Sequence, residues 1–126
     1  MSKPDSLPPW PGDCYSRAAH EMFRSRDNPD IRLVHAEVES SYEPGEWVGH
    51  AWVELPATFE YEDEETGERH EGPGFIVVDT CQPDPKAEIT PRDYYYEQTK
   101  PRNIKRYTFA QMIQNALRFR HDGPWT

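Results

Sequence analysis

A chain of 126 residues supports one domain with a single modest core, and 13 prolines with only 35% hydrophobic residues predict long loops around it. A formal charge of −9 argues against a nucleic-acid backbone or an anionic membrane as partner, and favours cationic peptides or a basic protein surface. Seven Tyr, five Phe and four Trp argue against disorder, because disordered chains are poor in aromatics.

No apolar run is long enough to cross a membrane. The segment from Met1 to Pro11 is polar and proline-rich, and lacks the apolar centre of a signal peptide. Two cysteines do not make a secreted disulfide framework. The expectation is a soluble, cytoplasmic protein in a reducing compartment.

In chain order, residues 1–11 read as an irregular arm with Trp10 as its one large anchor. Gly12-Asp13 is a helix entry with Asp13 as N-cap, and the helix runs from Cys14 to about Arg26. Tyr15, Ala18, Ala19, Met22 and Phe23 are spaced for one buried stripe. Ile31 to Val38 reads as a strand. So does Gly49-His50-Ala51-Trp52-Val53-Glu54, a run of aromatic and β-branched residues closed by Pro56. Residues 60–71 are densely acidic around Thr66-Gly67, the tip of a solvated hairpin loop. Phe75 to Asp79 is a continuous apolar run ending in a carboxylate, predicted as a central strand buried on both faces. A proline-punctuated loop follows Cys81. Arg92 to Gln98 reads as a short helical turn carrying Tyr94, Tyr95 and Tyr96, and Ile104 to Tyr107 as an edge strand. Thr108 and Gln111 have capping-box spacing ahead of a helix over Phe109 to Arg120, which would bury Phe109, Met112, Ile113, Ala116 and Leu117. The order predicts a single α+β domain, an antiparallel sheet with helices on one face.

Alternate residues of a strand share a face, so His50, Trp52 and Glu54 point one way and Ala51, Val53 and Leu55 the other. The aliphatic set suits a core and the His/Trp/Glu set suits a site. Cys14 sits in the first turn of its helix, where unpaired N–H groups and the helix dipole favour a thiolate. A free cysteine is ordinarily a small buried hydrophobe, but a helix start after Gly-Asp is a poor place to hide one. His50 is the base that would take the thiol proton, and Asp79 the carboxylate that would fix its ring. Alone, Asp79 would read as a turn former before Thr80; the three residues together carry more weight than any one.

Gly12-Asp13-Cys14-Tyr15, Gly49-His50-Ala51-Trp52-Val53-Glu54 and Val77-Val78-Asp79-Thr80 resemble the three signature blocks of the transglutaminase-like superfamily. These are papain-like thiol enzymes that use Cys, His and Asp. The resemblance implies an α+β fold with the Cys14 helix packed on one face of an antiparallel sheet. It implies acyl-enzyme chemistry at an amide or ester carbonyl, with catalytic Cys14, His50 and Asp79. Cys14-Tyr15-Ser16-Arg17 resembles the Cys-x-x-Arg of the leader peptidases of lasso-peptide pathways.

An oxyanion donor is less defined: the backbone N–H of Cys14 or Tyr15, or the indole of Trp10, with Trp52 lining the site. Cys81 falls on the Asp79 face if the strand continues, which makes it a possible redox partner of Cys14. No Cys/His spacing suits zinc and no glycine-rich phosphate loop is present, so neither metal nor cofactor is expected. His20, His70 and His121 read as surface residues, and His35 as a satisfied core histidine. The expected function is a small cysteine hydrolase or acyltransferase, a peptidase or amidase, acting on a peptide or protein substrate. The competing reading is a non-catalytic acidic binding or inhibitor protein on the same fold.

Overall fold

The computed structural model describes residues 14–40, 43–81 and 88–125. Trp10, the N-cap role of Asp13 and the irregular arm lie outside the described residues. Eight elements follow in order: α1 (Cys14–Arg24), β1 (Arg32–Glu39), β2 (Trp47–Glu62), β3 (Arg69–Val78), β4 (Ile89–Pro91), α2 (Arg92–Thr99), β5 (Arg102–Tyr107) and α3 (Phe109–Phe119). The five strands form one antiparallel sheet in the order β4-β3-β2-β1-β5. The chain is therefore α+β, as its pattern predicts.

β2 is the spine of the sheet. Its first half pairs with β1, with His50 opposite Ala36 and Trp52 opposite Val34. Its second half pairs with β3 from Val53–Val78 out to Glu62–Arg69. The predicted acidic loop is therefore shorter than residues 60–71, because both ends of that segment are drawn into the ladder. The turn is tied at Asp63, which accepts the Gly67 N–H at 2.7 Å and whose own N–H donates to Glu68. Phe59 lies across Gly74, where a side chain would collide with its ring. That aromatic cover on a bare glycine holds the exposed ladder together.

The alternation along β2 buries both of its faces. Ala51 and Val53 join Leu33 beneath Ala18, Ala19 and Met22 of α1, Met112 of α3, and Trp125 of the C-terminal tail. Trp52 joins Val34, Ala36, Val38, Val77 and Tyr95 of α2 on the opposite face. Helices therefore cover both faces, not the single face predicted. Each fully buried Leu, Val or Met contributes roughly 1.5–3 kcal/mol relative to exposure.

Two further expectations are corrected. The Phe75–Asp79 run is the predicted interior strand only in part: Ile76 to Val78 lie between β2 and β4, whereas Phe75 is paired with β2 alone. Phe75 is 37% exposed, with the Arg92 guanidinium over its ring, so the run is not buried on both faces throughout. Leu117 is 75% exposed. It follows Met112 by five residues, about 140° around the helix, and so falls off the buried stripe. The Thr108–Gln111 capping box is present with both of its hydrogen bonds.

Candidate active site

The site forms where β2 and β3 part. Their last paired rung is Val53–Val78. Asp79, the next residue, follows β4 instead and donates its N–H to Glu88 at 2.7 Å. β2 continues back through Trp52, Ala51 and His50 without β3 beside it. The first turn of α1 meets this gap and brings the Cys14 sulfur close to the Ala51 backbone. Further out, Arg17 Nη1 donates to the Thr80 carbonyl at 3.1 Å and ties the helix to the same opening.

Cys14, His50 and Asp79 come together here, all buried. His50 Nε2 and Asp79 Oδ2 are 2.8 Å apart. Asp79 is held below its ordinary range: burial opposes its charge, but the bonds from His50, Tyr95 and the Cys81 backbone prevail. An ionised carboxylate only accepts, so Nε2 carries the proton and Nδ1 of the neutral ring is the acceptor. The Cys14 thiol lies close to the His50 ring and to the Cys81 thiol, near enough for each to bear on its charge.

The electrostatics follow from these neighbours. The Cys81 thiol, then the His50 ring, lower Cys14 to about 5 against the cost of its burial. Burial disfavours charge on His50, yet the Asp79 carboxylate and Cys14 raise it to about 9. Cys81 is pushed the other way, chiefly by its bond to Cys14, and stays a thiol. Between those values the pair rests as thiolate and imidazolium.

The other site-lining expectations divide. Trp52 packs against His50 with ring centres 5.8 Å apart, but its indole N–H is committed to Glu54 at 3.1 Å and is no oxyanion donor. Tyr15 turns away from the His50–Asp79 pair. Its hydroxyl lies over Gly49, at a spot that a side chain at 49 would occupy, and its ring meets His35 edge-on at 4.8 Å. A cleft of about 620 Å³ opens there, lined by Tyr15, His35, Gly49, Tyr107 and Trp125 among others. On the other side of α1, a groove of about 300 Å³ is lined by Ser16, Arg17, His20, Glu21, Arg24 and Thr80.

Glu54 shares the His50 face but belongs to a different network. It is buried, and its carboxylate accepts from Trp52, from the Tyr96 hydroxyl, from Arg92 at 3.3 Å and from Arg106 at 3.2 Å. Burial opposes its charge, and these donors, Tyr96 foremost, hold it ionised below the ordinary carboxylate range. The residue that sequence reasoning missed is Tyr95. Its hydroxyl donates to Asp79 Oδ2 at 2.6 Å, the same oxygen that meets His50. Three tyrosines in a row gave no signal for which one turns inward. Among the described residues, no group of three or more His, Cys, Asp or Glu is arranged to hold a metal ion. Among the same residues, no helix is long and apolar enough to cross a membrane.

Compared with protein-family models, with curated proteins and with solved structures, the chain has no match.

Proposed function

We propose that this protein is a small thiol hydrolase or acyltransferase of transglutaminase-like type, a peptidase or amidase that works through a thioester. One observation carries the reading: a buried carboxylate claims Nε2 of a buried histidine, and the thiol at the start of a helix lies close enough to that ring to be drawn down by it. In the proposed reaction the Cys14 thiolate, its proton already held by the His50 imidazolium, attacks the carbonyl carbon of an amide. Backbone N–H groups of the first turn of α1 have no partner within the helix and are the available donors to the oxyanion. The imidazolium then protonates the leaving amine as the C–N bond breaks. Water or a second amine attacks the thioester, returns a proton to His50 and releases Cys14.

The substrate we assign is a peptide or protein. Net charge alone favours a cationic one, but the groove flanking Thr80 carries Arg17, His20 and Arg24 against the single acid Glu21. Within that groove Arg24 pairs with Glu21, and Arg17 reaches the Thr80 carbonyl. The second reading, an acidic binding protein, draws on the Glu60–Glu71 hairpin, which lies at the far end of β2 from this groove.

The test offers peptide p-nitroanilides and p-nitrophenyl esters to the protein and follows intact mass. An acyl adduct on Cys14, absent in Cys14→Ala and released by hydroxylamine, is the expected result. No adduct from any donor, together with Cys14 alkylation that titrates like an ordinary thiol, would overturn the enzyme reading in favour of the binder.

A further inference from the structure

We infer that Tyr95 is a fourth, positioning member of this site: its phenol fixes the Asp79 carboxylate and draws charge from the oxygen that holds His50. The inference rests on the reading of His50 as a base, and goes beyond it by assigning the site a part of α2.

Both Asp79 oxygens are engaged. Asp79 Oδ1 accepts the Cys81 backbone N–H at 3.0 Å. Oδ2 accepts from His50 Nε2 at 2.8 Å and from the Tyr95 hydroxyl at 2.6 Å. The carboxylate is thus pinned at both oxygens, and its plane is set toward the imidazole. Tyr95 itself is 4% exposed, and its ring packs against Trp52 at 5.1 Å, on the face of β2 that carries His50. α2 cannot slide, because Arg92 at its start and Tyr96 beside Tyr95 both bond Glu54. The strand residues two and four places along from His50 therefore anchor the helix whose tyrosine reaches back to Asp79.

The chemistry follows from sharing one oxygen between two donors. A phenol that donates to Oδ2 stabilises the carboxylate as an anion and weakens its pull on the His50 N–H. Asp79 then orients the imidazolium without over-stabilising it, and the ring keeps the acidity it needs to protonate a leaving group. Among the described residues, the titratable groups around the His50–Asp79 pair are Cys14 from α1, Cys81 beyond β3, and Tyr95 from α2. Of these, Tyr95 alone is a neutral donor to the carboxylate oxygen that His50 uses. Burial beside Asp79 pushes its own pKa up, so it stays a donor across the working range.

The test follows the His50 ring titration by NMR, and the pH dependence of Cys14 carbamidomethylation by peptide mapping, in the full chain. Tyr95→Phe keeps the ring and removes the donor. The expected result is a His50 pKa raised by about half a unit to one unit. The alkaline limb of Cys14 reactivity should rise with it. Asp79→Asn should move both in the opposite direction. If Tyr95→Phe fails to fold, site-specific 3-fluorotyrosine at 95 supplies a stronger donor of nearly the same shape and should lower the His50 pKa. A titration unmoved by either change, lowered in Tyr95→Phe, or raised by 3-fluorotyrosine would overturn the assignment. The readout needs no turnover. An acyl-enzyme with an unshifted titration defeats this inference alone, whereas a shifted titration in a protein that forms no adduct defeats only the enzyme reading.

Discussion

His35 and His50 sit on adjacent strands, each opposite an alanine: His35 faces Ala51 across the ladder and His50 faces Ala36. Both are buried, on opposite faces of one sheet. Yet burial, helped by Lys105, lowers His35 to about 4, while His50 is raised to about 9. Around His35 are the rings of Tyr15, Tyr107 and Trp125, and neither ring nitrogen finds a hydrogen-bond partner among the described residues. Around His50 are a carboxylate and a thiol. Burial opposes charge on both rings, and the neighbours decide the sign.

The largest effect should come from removing that partner. Asp79→Asn should turn His50 into a second His35, dropping its pKa by roughly two units or more. Acyl transfer should fall on the order of 10²–10⁴-fold while leaving a measurable residue, whereas Cys14→Ala and His50→Ala should abolish it. NMR titration and adduct formation measure the two consequences. A His50 pKa unchanged in Asp79→Asn would break the comparison at its root.

The next effect belongs to His35 and has the opposite sign. Its folded pKa lies below the unfolded value near 6.5, so the unfolded chain binds more protons between those values. The stability is fully present above about 6.5 and is lost as pH falls towards about 4, by about 3 kcal/mol in all. The charged and titratable groups that bear on it are Tyr15 from α1, Lys105 and Tyr107 from β5, and Glu37 on its own strand. His35→Phe should flatten that acid limb in urea melts at pH 4 to 7. An acid limb that survives the substitution would assign it to carboxylates instead. His50 acts in reverse: its stabilisation is complete below about 6.5 and fades as pH rises through about 9.

A smaller change sharpens the His50 side. Cys81→Ala removes the thiol donor to Cys14, so the midpoint of Cys14 alkylation should rise by about one unit while the His35 limb stays in place. The same contact predicts redox chemistry. Hydrogen peroxide oxidises the Cys14 thiolate to the sulfenic acid with loss of water, and Cys81 displaces a second water to give the disulfide. Non-reducing peptide maps should show Cys14 joined to Cys81 and dithiothreitol should restore the thiols. A stable sulfinic acid at Cys14 with Cys81 untouched would count against the pairing.

The smallest effect lies away from both histidines. Neutralising Glu62, Asp63, Glu64 and Glu65 should slow association with a basic peptide at low salt and flatten its salt dependence, with both titrations unmoved. Stopped-flow rates at two ionic strengths decide it. Unchanged rates would leave those acids a role in solubility alone.

Much of this was legible in the sequence because the signals are local. The Cys14 helix start, the alternation through His50 and the Asp79 strand end are each read within a few residues. What stayed hidden depends on docking over long separations. Glu54 meets Arg106 from fifty-two residues away. Tyr95 was one of three adjacent tyrosines, and only the placement of α2 over Trp52 selects it. β4 is three residues long and ends in Pro91, so it read as loop. His35 was expected to be satisfied, but the rings that surround it supply no acceptor or donor to its nitrogens.

β2 runs unbroken from Trp47 to Glu62 and carries the site at one end and a tight turn at the other. Eight residues of extended strand separate Glu54 from Glu62, roughly 26 Å at about 3.3 Å each. That distance makes the tip a natural attachment point. A short affinity tag or fluorophore-bearing peptide spliced between Thr66 and Gly67 would sit clear of Cys14, and immobilising the protein through it would leave both clefts beside α1 open to substrate.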